Sequence, residues 1–378
     1  MNDGINPFLT EGYISKEYFC DREYEIKILK KNIKNGIKTT IISNRRLGKS
    51  ALIHRLFEEL DGKNYACIYI DIYACTHLKD FTEILALSVF TKFPQKRGIG
   101  FRFFDFLKNL RPIISYDTLN GRPEIRFEFS QPKEYEHTLQ NIFQFIDNQQ
   151  IEVVLAIDEF QQIGEFPEKN VEALLRTIIQ TLKHTHFIFS GSKKHMMFEM
   201  FHTTKRPFFS STQTINLSEI PADQYKAFIR EQFAKHKRTI DDEAIDFILS
   251  WTLLHTYYTQ TICNGVFASG KRNADIETVK RVCDEQLTLQ HTTFMQYRSL
   301  LSHVQWQLML GIAREGLVTE PHGHGFLQKN KIGAASSVQK ALKALLDKEM
   351  ILSVETMGKT AYRVYNVFLM RWMERTFK

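Results

Sequence analysis

The chain has 378 residues, 43% of them hydrophobic and 25% charged, with a formal charge of +7. The length exceeds one ordinary core and points to two or three domains, while the composition is that of a globular protein and excludes a collagen, a repeat array or a disordered tail. The excess of base permits contact with nucleic acid or an acidic membrane surface and requires neither.

In chain order, a helix entry and a helix are expected over 14–35, with Asp21 able to cap, Glu23 and Glu25 near its positive end and Asn35-Gly36 closing it. A short apolar strand, Thr39–Ile42, leads through a basic, glycine-containing turn into a periodic helix over Lys49–Leu60. A strand over Tyr65–Tyr73 and a helix over Leu78–Phe93 follow. The stretch 94–130 reads as an insertion: a helix at Phe101–Leu110, then alternating segments Ile113–Tyr116 and Glu124–Phe129 around the hairpin signal Asn120-Gly121. A helix over 133–148 precedes Ile151–Ile157, a continuous apolar strand of the kind buried on both faces. A helix over 168–183 and strands at His186–Ser190 and Thr214–Leu217 complete an alternation that predicts a doubly wound parallel α/β sheet.

From Pro221 onward the strands are expected to stop, with helices over roughly 221–235, 241–250, 255–268 and 275–290. Beyond 292, helices precede two short alternating segments, Leu352–Glu355 and Ala361–Val364, joined at Met357-Gly358-Lys359. That order is the helix-helix-helix-wing pattern of a winged helix-turn-helix. The expected domains are 1–218 (α/β, with the insertion), 219–291 (an all-α lid) and 292–378 (winged helix). The five cysteines show no Cys-x-x-Cys spacing and read as reduced thiols serving as small core residues. No apolar run reaches the about 18 residues of a membrane span, so a cytoplasmic protein without a membrane partner is expected.

The segment Ser43-Asn44-Arg45-Arg46-Leu47-Gly48-Lys49-Ser50, with Ala51 after it, fits GxxxxGK[ST] at every constrained position but the first. A phosphate-binding loop must bring backbone N–H groups around a phosphate. Gly48 allows the close approach, Lys49 reaches the β- and γ-oxygens, the Ser50 hydroxyl ligates Mg²⁺, and the following helix points its positive end at the anion. Serine in place of the first glycine is expected to cost conformational energy. The competing reading is a basic turn that matches by coincidence. A second signal favours the functional one: Val153 to Ile157 is an apolar strand ending in Asp158 and Glu159. Asp158 can hold Mg²⁺ through its water, and Glu159 can orient and deprotonate an attacking water; the alternative is a strand end capped by solvated acids.

Ser190-Gly191-Ser192 follows the next strand, where Ser192 could touch a γ-phosphate or simply turn the chain. Arg206 could supply charge to a transition state, in cis or from a neighbouring subunit, or be a solvated surface arginine. Met196, Met197 and Met200 follow helical spacing and read as core or lid contacts. His322 and His324 lack Cys or acid partners and read as a solvent loop.

These residues together resemble the archaeal-type ATPases of the AAA+/STAND P-loop superfamily, relatives of the origin-recognition ATPases. Phe19-Cys20-Asp21-Arg22-Glu23 resembles the family's F-x-x-R-E opening, which implies Arg22 near the adenine. Arg45 to Ser50 resembles its R-R-x-G-K-[ST] loop, Ile157 to Gln161 its hhDEFQ segment, and Phe189 to Ser192 its strand-end G-S segment. Arg206 to Phe209 and Leu217 to Ile220 are similar to its junction into the lid, His255 to Tyr258 to its [HN]-P-Y-Y segment, and Tyr365 to Trp372 to its terminal D-P-x-F-x-x-W. The chain departs from the pattern at Ser43 for glycine, Thr256 for proline and Asn366 for an acid. The resemblance implies an ATP hydrolase acting as a conformational switch and names no substrate beyond ATP.

Residues 331–378 carry nine basic and four acidic side chains. Ala334 to Lys348 is the expected recognition helix, with Val338, Leu342, Leu345 and Leu346 inward and Ser336, Ser337, Gln339, Lys340 and Lys343 outward. That outer face, with Lys359 at the wing tip, suits the phosphates and groove of double-stranded DNA; it equally suits a protein-binding module with solvated lysines. The expected function is therefore an ATP- and Mg²⁺-dependent ATPase coupled to a winged helix. The rivals are an ATP-sensing DNA-binding regulator with little turnover, and a signalling scaffold that grips a protein partner or a second copy of itself.

Overall fold

The computed structural model of the protein describes residues 5–62, 64–93, 112–116, 123–127, 132–333, 335–356 and 358–377. The expected helix at 101–110 and the hairpin turn at Asn120-Gly121 lie outside the described residues. The chain divides into two compact units, Glu11–Ile220 and Pro221–Lys378, the latter joined by the residues up to Thr10.

The first unit runs α1 (Glu23–Lys34), β1 (Thr39–Ile42), α2 (Lys49–Leu60), β2 (Tyr65–Asp71), α3 (Leu78–Lys92), β3 (Pro112–Tyr116), β4 (Pro123–Phe127), α4 (Pro132–Asp147), β5 (Glu152–Asp158), α5 (Val171–Thr181), β6 (Thr185–Gly191), α6 (Lys194–His202) and β7 (Gln213–Asn216). Five strands form one parallel sheet in the order β2-β5-β6-β1-β7. The chain leaves β1 for the far edge strand β2 and returns to the other side of β1 only at β7. Crossovers thus diverge beside the carboxyl end of β1, where doubly wound sheets hold their ligands.

The sequence of β5 shows why the sheet is covered on both faces. Val153, Leu155 and Ile157 enter one core with Phe81 and Leu85 of α3, Leu139 and Phe143 of α4 and Leu175 of α5. Val154 and Ala156 enter the opposite core with Ile26 and Leu29 of α1 and Leu52 and Leu56 of α2. Alternate side chains of a strand point to opposite faces, so a strand buried on both sides must be apolar throughout. The inserted hairpin joins the first core through Ile125 and Phe127, and the Phe127 N–H donates to Glu83 of α3 at 2.9 Å. Met197 and Met200 of α6 also lie in that core, as their spacing suggested.

At the entrance to α1 the structure corrects the expectation. Lys16–Tyr18 form a separate 3-10 turn, the N-cap position is Arg22 at φ 67°, and no side chain caps the helix there. Asp21 itself adopts φ 57°, so it cannot serve as the extended N-cap residue.

The second unit contains α7 (Ala222–Lys235), β8 (Thr239–Ile240), α8 (Asp242–Trp251), α9 (Thr256–Ala268), β9 (Asn273–Ala274), α10 (Ile276–Leu289), α11 (His291–Leu300), α12 (His303–Glu315), α13 (His324–Lys329), α14 (Ala335–Asp347), β10 (Ile351–Thr356), β11 (Lys359–Val364) and α15 (Val367–Thr376). Strands do not stop at Pro221, because β8 and β9 pair in parallel. Each is two residues long, too short to carry a period-two signal. Thr256, standing where the resembled family has proline, is the first residue of α9. Proline suits that position because its missing N–H would have no intrahelical partner, so the exchange leaves the helix start intact. Asn366 caps α15, its side chain accepting from the Leu369 N–H at 3.0 Å, as an acid would.

β10 and β11 pair antiparallel from Ile351↔Val364 to Thr356↔Lys359, and Val318 bridges to Tyr362. Trp372 of α15 is fully buried and its indole N–H donates to His291 Nδ1 at 3.1 Å. Arg371 donates to the carbonyl oxygens of Trp251 at 2.9 Å and Ser250 at 3.3 Å, which fastens α15 to the end of α8. The wing and the preceding helices therefore belong to one packed unit. None of the helices among the described residues is long and apolar enough to cross a membrane.

Candidate functional site

The site begins where β1 ends. Ser43 is fully buried, and the residues of the loop with positive φ are Arg46 at 62° and Gly48 at 91°. The expected conformational cost at Ser43 is thus absent: its backbone needs no glycine, and the demand falls on Gly48. A Cβ built on Gly48 meets nothing within 4 Å, so the constraint there is the backbone angle and not space. The Ser43 hydroxyl accepts a hydrogen bond from Lys49 Nζ at 3.2 Å and donates to the Asn44 carbonyl at 2.8 Å. Lys49 also reaches the Asn44 carbonyl at 3.4 Å. Burial pushes the Lys49 ammonium below its usual range, against the pull of Glu159 and Asp158. Leu47 is buried and anchors the loop, while Ser50 and Ala51 open the first turn of α2, whose N–H groups have no partner within the helix.

Asp158, at the carboxyl end of β5, is the hub. Its Oδ2 accepts from Ser50 Oγ at 2.6 Å and from the Tyr69 hydroxyl at 2.7 Å. Its Oδ1 accepts from the Ser190 hydroxyl and from the Glu159 N–H at 3.0 Å. Burial pushes the carboxyl up, but the donors Ser190, Ser50 and Tyr69, with the charge of Lys49, outweigh it and hold Asp158 below the ordinary carboxylate range. The Tyr69 hydroxyl is pushed far up by burial and by the neighbouring Asp158, so it remains a donor. His54, one turn beyond Ser50, lies against the Tyr69 ring at 4.5 Å, and burial lowers its basicity.

Glu159 follows β5 at φ 56°, a left-handed backbone that few non-glycine residues adopt. Its Oε2 accepts from the Gln161 side-chain amide and from Ser192 Oγ at 2.8 Å. The loop, Asp158, Glu159 and Ser192 therefore converge at the carboxyl ends of β1, β5 and β6.

The remaining predicted residues lie in other contacts. Arg22 is buried, ion-paired with Glu25 at 3.1 Å and donating to the Ser218 carbonyl at 2.6 Å, so it braces the start of α1 against the segment after β7. Arg206 pairs with Glu172 of α5 and with Glu199 of α6 at 3.6 Å, so it is not a plain solvated arginine. Three partners in the site carried no role in the sequence reading: Tyr69, Ser190 as a donor to Asp158, and Gln161. Gln161 stands inside the recognised hhDEFQ segment, and the two hydroxyls become visible only once β2 and β6 are known to flank β5.

A family model described as an ATPase domain predominantly from Archaea matches residues 19–256. The chain belongs to this archaeal ATPase family. A second model, "Probable winged helix domain", matches residues 292–375 of the same chain. Among solved structures, a Walker-type ATPase of Pyrococcus abyssi is similar at TM-score 0.65 and 16% identity, over 97% of this chain and 99% of that one. The ORC2 protein of Aeropyrum pernix, in ADPNP–ADP complexes, is similar at TM-score 0.59 and 12% identity, over 99% and 97%. The ORC1 protein of Aeropyrum pernix, in complex with DNA, is similar at TM-score 0.51 and 11% identity, over 95% and 93%. At these identities the likeness is one of fold. No curated protein matches the chain.

The residues of the site fit a nucleoside triphosphate with a divalent cation. A buried cation, an open helix N-terminus, a hydroxyl and a buried carboxylate lie together, and the cation and hydroxyl are held by groups that a phosphate and a metal can replace.

Proposed function

We propose that the protein binds ATP with Mg²⁺ at the β1–α2 loop, hydrolyses it, and uses the cycle as a conformational switch for a winged helix that binds double-stranded DNA. The observation that carries the reading is the hydrogen bond between Ser50 Oγ and Asp158 Oδ2, which joins the loop to the acidic strand end across 108 positions of sequence.

In this proposal Lys49 exchanges its Ser43 and Asn44 acceptors for the β- and γ-oxygens, and the first N–H groups of α2 bind the same phosphates. Asn44, Arg45 and Arg46 line the loop, and Arg22 stands toward the base. Ser50, through its hydroxyl, and Asp158 would hold the Mg²⁺. Mg²⁺ there supplies neutralisation of the charge that develops on the phosphate oxygens. Glu159 takes the proton of the attacking water, and Ser192 meets the γ-phosphate side of the site. Arg206 can serve the transition state only after leaving Glu172 and Glu199. The test is a titration of ATP with Mg²⁺: Lys49→Ala is expected to weaken binding at least about tenfold. Equal affinity in the variant and the wild type would overturn the assignment of the loop.

The DNA part is supported by the outer face of α14. Ser336, Ser337, Gln339, Lys340 and Lys343 are exposed, while Val338, Leu342 and Leu345 are buried. Lys359, exposed at the wing, lies 3.7 Å from Glu320. Replacing Lys340 and Lys343 together by alanine is expected to weaken duplex binding for all sequences alike and to reduce the salt slope by about two. If the wild type shows no duplex binding even at about 50 mM salt, the winged helix is a protein-binding module instead.

A further inference from the structure

Gln161 sits in the 3-10 turn that follows Glu159 and is 2% exposed. Its amide N–H donates to Glu159 Oε2, the same oxygen that accepts from Ser192. Its own Oε1 is buried without a hydrogen-bond partner. The amide is wedged in place: a Cβ on Gly191 would stand 2.3 Å from Gln161 Oε1 and 2.5 Å from Met197 Sδ. The left-handed backbone of Glu159 adds a second strained element to the same corner. A buried carbonyl left unpaired costs stability, and an apolar side chain of the same shape would not incur that cost. The amide orientation is fixed by what its other end does, because turning it over would set Oε1 against the Glu159 carboxylate.

We propose that Gln161 is a positioning residue for Glu159. Together with Ser192 it fixes Oε2, and it thereby leaves Oε1, which receives no hydrogen bond among the described residues, to face the attacking water. This rests on the hydrolysis reading above. Gly191 belongs to the same device, since only a residue without a side chain leaves room for the amide.

Two variants test it. Gln161→Met keeps the volume and removes the donor; its kcat is expected to fall about tenfold or more, with ATP affinity within about twofold of wild type. Gln161→Glu has an O–H donor only when protonated. The ratio of its kcat to that of wild type is expected to rise as pH falls from about 8 to about 6, because a carboxyl beside a second carboxylate holds its proton to higher pH. Without nucleotide, the same variant is expected to lose more thermal stability relative to wild type at about pH 8 than at about pH 6, for the same reason. A Gln161→Met enzyme with wild-type kcat, a loss wholly accounted for by affinity, or a Gln161→Glu ratio and stability that ignore pH would each overturn the proposal. A wild type that does not hydrolyse ATP would overturn the hydrolysis reading and this inference with it. An active wild type with an indifferent Gln161 overturns this inference alone.

Discussion

Glu159→Gln is expected to lower kcat for ATP hydrolysis by about 10²–10⁴-fold, the usual contribution of a positioned general base, while ATP binding persists. The expectation follows from how the side chain is held. The hydrogen bonds that hold the Glu159 carboxylate come from Gln161 and Ser192. An amide can keep the hydrogen bonds to those two donors through its oxygen, so the fold of the corner survives. What it cannot do is take a proton. Loss of turnover with retained affinity is the signature of a group used in the transition state and not in ground-state binding. Phosphate release under saturating ATP, with a parallel titration of affinity, checks both halves.

Asp158→Ala is expected to be the more disruptive change to the protein itself. Three hydroxyls, those of Ser50, Tyr69 and Ser190, lose their common acceptor. At about 1 kcal/mol for each buried donor, the loss of stability should be on the order of 3 kcal/mol, measurable by denaturant unfolding. The Asp158 carboxyl lies below the usual range in the folded protein. Its contribution is present above the unfolded-state value near pH 4 and is lost as pH falls through the lower folded value. The stability gap between wild type and Asp158→Ala should therefore be widest at neutral pH and shrink in strong acid. A gap that does not change with pH would contradict the ionised, hydroxyl-clamped Asp158.

The sequence made the local parts of this site readable and left the non-local parts hidden. The limits of β1 and α2 coincide with those expected, Thr39–Ile42 and Lys49–Leu60, because an apolar run, a glycine and a periodic helix stand next to one another in the chain. The exposed and buried faces of α14 follow from helical spacing alone for the same reason. Tyr69 could not be found that way. Its tie to Asp158 depends on β2 lying beside β5 with Tyr69 opposite Ala156, and the hydrogen bond joins residues 89 positions apart. Ser190 is hidden in the same manner behind the β5–β6 neighbourhood. Ser43 misled for a different reason: a motif records which residue is usual, whereas the angle that glycine would permit is taken up here at Arg46 and Gly48. Arg206 looked available because its partners, Glu172 and Glu199, come from two different helices.

The most direct measurement is the fate of ATP mixed in stoichiometric amount with the protein and Mg²⁺, followed side by side in wild type and Glu159→Gln. Wild type is expected to convert the ATP to ADP and phosphate, and Glu159→Gln to retain it bound and intact. Conversion at the same rate by both proteins, or no binding by either, would contradict an ATPase site built from Lys49, Ser50, Asp158 and Glu159.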